Sequence, residues 1–149
     1  LGKYQTIPVA IHEVTSAGVR TVHFDPRDFD YGSNRLPTER WSDIGFAGFR
    51  IHHPLNSPTV RDELGVFLGA SYFRMLGRGQ RYGLSARGLA IDPVRGASEE
   101  FPRFTEFWLE RPEPNARELR MFALLEPPRA TGAYRCALRR RQCSRVRAQ

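Results

Sequence analysis

Hydrophobic and polar positions alternate with period two in the second half of the chain. In Phe104–Glu110, Thr105, Phe107 and Leu109 fall on one face; Phe104, Glu106, Trp108 and Glu110 fall on the other. Such alternation marks a strand with one dry face and one mixed face. Leu119, Met121, Ala123 and Leu125 repeat it. Opposite them Glu118 and Arg120 are polar but Phe122 and Leu124 are not, so this strand is expected to start half-exposed and end buried on both faces. Runs rich in Val, Ile, Phe, Tyr and Thr predict strands at 7–14, 19–24, 45–52, 65–76, 80–91, 103–110, 117–126 and 132–138. Turn signals separate them, among them Asp25-Pro26, His53-Pro54, Gly77-Arg78-Gly79, Asp92-Pro93 and Pro127-Pro128. Only Thr59–Leu64 reads as a helical turn. Short, regularly spaced strands with little helix predict an all-β sandwich or barrel.

Length and charge refine this picture. The 149 residues are enough for one domain. The longest apolar runs, such as Met121–Leu125, are too short for a membrane span, and no signal-peptide pattern opens the sequence. The net charge of +7 points at first to nucleic acid. Its distribution points elsewhere. Of 23 basic residues, six arginines lie in 135–149, which carry no acid; residues 1–134 hold 17 against 16 acidic groups, a net +1. Both cysteines, Cys136 and Cys143, also lie in that tail. Lys3 is the one lysine, a bias that a GC-rich coding sequence explains better than phosphate binding, where lysine also serves. A nucleic-acid binder acting through the arginine tail is the least favoured reading.

Several strings approach known catalytic patterns and miss. Gly77-Arg78-Gly79-Gln80-Arg81-Tyr82-Gly83 resembles a phosphate-cradling loop, but its last glycine comes one place late and a strand is expected after it. Gly83-Leu84-Ser85-Ala86-Arg87-Gly88 has Arg87 where a nucleophile elbow needs glycine. His52 and His53 are adjacent on a strand and face opposite ways; with His12 and His23 they offer no metal-ligand spacing, so neither metal nor cofactor is expected. Glu106 and Glu110 stand about 13 Å apart on a strand, too far for a glycosidase couple. Either can still bind sugar hydroxyls, with Trp108 between them as a stacking platform. Tyr72, Phe73, Arg74, Tyr82, Arg87 and Trp108 form an aromatic–arginine set suited to sugars or bases, and equally to core packing.

Longer strings carry a resemblance. These are Gly45-Phe46-Ala47-Gly48-Phe49-Arg50-Ile51-His52-His53-Pro54-Leu55-Asn56, Gly69-Ala70-Ser71-Tyr72-Phe73-Arg74, and the stretch from Tyr82 to Asp92. Glu99-Glu100-Phe101-Pro102, Phe107-Trp108-Leu109-Glu110-Arg111-Pro112 and Thr131-Gly132-Ala133-Tyr134-Arg135 follow in order. Across residues 1–135 the sequence resembles the osmoregulated periplasmic glucan biosynthesis proteins G and D of Gram-negative bacteria. The resemblance implies part of a large galactose-mutarotase-like β-sandwich, export to the periplasm, and action on β-1,2-linked glucan chains. Some members are β-1,2-glucanases, but their acid and base aspartates align beyond this segment, so no catalytic residue is carried over and the chain is expected to be inactive. Motif membership nominates Tyr72, Arg74, Arg87, Asp92, Glu106 and Trp108 as cleft or near-cleft residues.

One departure stands out. After Tyr134-Arg135 the family pattern gives way to a stretch, 136–149, with no evident alternation and an excess of Arg and Cys. The expectation is an N-terminal fragment: residues 1–135 form part of a sandwich, and 136–149 form a disordered basic tail produced by an out-of-frame read. Two functions compete. One is a share in periplasmic glucan biosynthesis through the glucan backbone. The other is a non-catalytic glycan-binding or docking module, with the membrane glucosyltransferase of glucan synthesis as partner.

Overall fold

A computed structural model of the chain describes residues 8–41, 44–81, 83–94, 99–126 and 129–139, and the backbone of 145–148. Two sheets account for nearly all regular structure. The first hairpin is β1 (Ala10–Thr15) and β2 (Gly18–Val22). β3 (Gly48–His53), β4 (Asp62–Leu68), β5 (Tyr72–Met75) and β6 (Ala86–Arg87) then form a four-stranded antiparallel sheet in chain order. β7 (Arg103–Glu110), β8 (Glu118–Glu126), β9 (Gly132–Arg139) and β10 (Arg145–Ala148) form an antiparallel meander. β1 returns alongside β7 in parallel, giving a six-stranded sheet of order β10-β9-β8-β7-β1-β2. Single helical turns occur at Pro26–Asp28 and Thr38–Arg40.

The sheets close on each other through aromatic side chains. Phe49, Phe67 and Phe73 lie in register across β3, β4 and β5, with ring centroids 5.3 and 5.8 Å apart. From the facing sheet Phe107 meets Phe49 edge-on at 5.0 Å. Ile11, Phe107, Ala123 and Tyr134 form one buried row across β1, β7, β8 and β9. Large apolar side chains buried this way stabilise by about 1.5–3 kcal/mol each. The result is an all-β two-sheet sandwich.

The structure corrects several local expectations. The run 65–76 is a hairpin, not one strand: Gly69-Ala70-Ser71 turns the chain between β4 and β5. Ser71 makes the turn with φ of 51°, and Gly69 takes the place where a Cβ would lie 2.7 Å from Val9. The expected strand 80–91 shrinks to Ala86–Arg87. Thr59–Leu64 is no helical turn, because β4 begins at Asp62. In β7 a bulge at Thr105 shifts the register, so Phe104 turns inward beside Phe107 while Glu106 and Trp108 face outward. β8 ends buried on one face only; Phe122 and Leu124 stay half-exposed. Alternation continues past residue 135: Tyr134, Cys136 and Leu138 are all buried in β9.

Candidate functional site

The outward face of the six-stranded sheet carries a small polar–aromatic group. β7 supplies Glu106 and Trp108, aimed outward by the Thr105 bulge. β1 lies beside it in register, Ala10 opposite Glu106 and His12 opposite Trp108. The small side chain of Ala10 leaves room for the carboxylate of Glu106 to reach along the strand to His12. Glu106 Oε2 is 3.0 Å from His12 Nε2, and Thr21 Oγ1 of β2 is 3.1 Å from His12 Nδ1. The imidazole stacks on the Trp108 indole, centroids 5.2 Å apart and planes 22° apart. The His12 side chain is 15% exposed and that of Glu106 38%. On β8, half-exposed Phe122 and Leu124 lie opposite Trp108 and Glu106 and extend the apolar floor. Glu110, the next outward residue of β7, is paired with Arg120 at 2.9 Å. Half-exposed apolar side chains bounded by a carboxylate and a hydroxyl suit a sugar ring, whose C–H face stacks while its hydroxyls hydrogen-bond.

Tyr72, Arg74 and Arg87 share a different surface. Phe73 points into the core, so Tyr72 and Arg74 point away from it, and Arg87 lies in register with Tyr72. A bulge in β4 places Glu63 on this same outward face. Its carboxylate bridges Arg74 Nη2 at 2.9 Å and Arg50 Nη1 at 3.3 Å. Arg87 Nη1 donates to the Ala70 carbonyl at 2.8 Å, and its guanidinium lies 4.6 Å over the Phe101 ring. Asp92 binds Arg129 at 2.9 Å, and Arg129 also binds Glu100 at 2.7 Å. The structure therefore gathers Tyr72, Arg74 and Arg87 on one outer face of the sandwich and Glu106 and Trp108 on the other. Asp92 sits in the loop between β6 and β7. The six residues do not form one cleft.

Other candidate chemistry resolves into structure. Gly77–Gln80 is a turn, Gln80 N–H donating to the Gly77 carbonyl at 3.1 Å and Gly79 N–H to Asn56 Oδ1 at 2.7 Å. No helix follows it among the described residues, and Tyr82 lies outside them. Ser85 is exposed in the segment leading to β6, and Gly88 packs where a Cβ would lie 2.9 Å from Phe104. Among the described residues no group of three or more His, Cys, Asp or Glu is placed to hold a metal. Burial pushes the Cys136 thiol up to about 11. A shallow hollow of about 180 Å³ opens beside Phe24, Phe29 and Phe46 and contains none of the six nominated residues. His12 and Thr21 are site residues that sequence reasoning missed. The signal for His12 lies in the parallel β1–β7 pairing, which brings it to Glu106, 94 residues away, and Thr21 follows from the β1–β2 hairpin.

Comparison with known proteins completes the assignment. The sequence is 59% identical over 138 residues to glucans biosynthesis protein G of Ralstonia nicotianae, covering 93% of this chain and 27% of that protein. It is 51% identical over 138 residues to glucans biosynthesis protein G of Pseudomonas paraeruginosa, covering 93% of the chain and 26% of the relative. For the protein of the same name from Pectobacterium carotovorum the identity is 52% over 134 residues, 90% of this chain and 26% of that one. The chain thus spans about a quarter of the length of the curated relatives it matches. No helix among the described residues is long and apolar enough to cross a membrane. A family model described as periplasmic glucan biosynthesis protein, MdoG, matches residues 1–149, and the chain belongs to that family.

Proposed function

We propose that this chain contributes a glucan-contacting surface to periplasmic glucan biosynthesis, binding β-1,2-linked glucose chains without cleaving them. The observation that carries the reading is the outward Trp108 platform, flanked by His12 and Glu106 on a half-exposed apolar floor. Family membership supplies the ligand class, and the periplasm is the compartment where this surface would meet it. Glu106 accepts hydrogen bonds from sugar hydroxyls while the C–H face of a glucose ring stacks against indole. Arg74, Arg87 and Asp92 hold the opposite face and its loop together through Glu63, the Ala70 carbonyl and Arg129. The acids that cleave glucan in some relatives are expected outside this segment.

Linear β-1,2-glucooligosaccharides titrated into a Trp41→Phe variant, where Trp108 is the remaining indole, test this. Saturable quenching or blue shift of Trp108 emission supports the reading, together with loss of binding in Trp108→Ala. An emission that stays flat while the fold is intact overturns it and favours a docking role.

A further inference from the structure

His12 is held from three sides. Glu106 Oε2 lies 3.0 Å from Nε2, Thr21 Oγ1 lies 3.1 Å from Nδ1, and the Trp108 indole lies against the ring at a centroid distance of 5.2 Å. An ionised carboxylate only accepts hydrogen bonds, so Nε2 carries a proton and donates it to Glu106. In the neutral ring Nδ1 then accepts from the Thr21 hydroxyl. Proton uptake turns Nδ1 into a donor, and the Thr21 hydroxyl, free to rotate, becomes its acceptor. Both hydrogen bonds survive in both charge states. The ring stays in place and only its charge changes.

That charge acts on both groups a sugar would use. A cationic imidazole draws on the π-face of Trp108 and turns the Glu106 contact into a charge-assisted hydrogen bond. Among the described residues, the other groups around the ring do not compete for it. β2 contributes Thr21, with exposed His23 one residue past its end. β7 contributes Glu106 and, farther along, Glu110, which is held by Arg120. The outward residues of β8 opposite this stretch, Phe122 and Leu124, are uncharged.

Resting on the glucan reading above, we propose that His12 is a pH-responsive positioning residue: its protonation adds charge to its standing contacts with Glu106 and Trp108 and lowers the affinity of this surface for neutral β-1,2-glucan. The proton comes from solvent and resides on Nδ1, and no covalent bond changes.

The test has two arms, both on the full chain carrying Trp41→Phe. In the first, without sugar, Trp108 emission is followed against pH. A single sigmoidal loss of emission is expected as pH falls and the ring takes up its second proton. It should vanish in His12→Gln, whose amide still donates to Glu106, and persist in His23→Gln. Thr21→Val removes the acceptor that the cation needs and should move the transition to lower pH. A transition that survives His12→Gln, or that Thr21→Val leaves unmoved, overturns the proposal. In the second arm, the dissociation constant for linear β-1,2-glucooligosaccharide is measured on the alkaline and acid sides of that observed transition. Binding about two- to fivefold weaker on the acid side is expected, with the difference gone in His12→Gln. Equal affinity on both sides overturns the proposal and leaves the glucan reading intact. Titrating emission without sugar binding at any pH defeats the glucan reading, and with it the control of glucan affinity, while protonation of His12 against Trp108 stands.

Discussion

Phe107 is fully buried between Phe49 and Phe67 of the small sheet and Phe104 of its own strand, with centroid distances of 5.0, 6.2 and 5.2 Å. Its ring fills the middle of the sandwich, so Phe107→Ala should cost about 3–5 kcal/mol, read as a lowered urea midpoint at unchanged slope. Cys136 lies in the same core, and its raised thiol pKa of about 11 keeps it protonated at neutral pH. In a Cys143→Ser background, native protein should react with a thiol reagent far more slowly than urea-unfolded protein; equal rates would show that β9 is not packed at Cys136. At this scale much was legible. Phe104, Phe107, Met121, Ala123 and Leu125 are apolar by type and sit in the core. Motif residues that looked functional proved harder, because Gly69 and Gly88 occupy places where a Cβ would strike Val9 or Phe104. A packing glycine and a ligand-approach glycine read the same in sequence.

Strand β7 was expected at 103–110 and runs over Arg103–Glu110, yet its faces were assigned incorrectly at one end. A single extra residue in a strand moves every later side chain to the other face, and the Thr105 bulge has no marker such as glycine. The β4–β5 turn was hidden for a similar reason. Gly69-Ala70-Ser71 lacks the Asn, Asp or Pro that usually announces a turn, and it sits inside a run of strand formers. The β3–β4 connection makes a prediction of its own. Asp62 Oδ2 accepts N–H groups of Asn56 at 3.0 Å and Leu55 at 3.1 Å, closing the loop. The Asn56 backbone bond is the largest cause holding this carboxyl below its ordinary value. Folding therefore favours the ionised form, and the unfolded chain takes up the proton first as pH falls. The contribution is complete above the ordinary carboxylate range and fades as pH drops through the lowered folded value. Asp25, held at about 2 by Arg27, adds a contribution of the same sign. Urea midpoints measured from neutral to acid pH should fall less steeply in Asp62→Asn than in the parent. An unchanged acid slope would mean that the loop opens before Asp62 titrates.

Taken whole, the sandwich presents two outer faces of different character. The small sheet turns out arginines already engaged with Glu63 or a backbone carbonyl. The large sheet turns out Trp108, His12 and half-exposed Phe122 and Leu124. Fold class was readable from alternation and turn spacing, and the family from long motifs. The division of the nominated residues between opposite faces was not, because it depends on two bulges and on a parallel pairing between distant segments. The sequence pattern of Glu106 and Trp108 did carry one true feature: the two share a face.

The most direct test of a glucan-contacting large sheet is amide chemical-shift mapping of the isotope-labelled chain during titration with a linear β-1,2-glucooligosaccharide. Saturable shifts are expected to concentrate on β1, β7 and β8, centred on His12, Glu106, Trp108 and Phe122. Shifts confined to Tyr72, Arg74 and Arg87 on the other face, or none at saturating sugar, would contradict it.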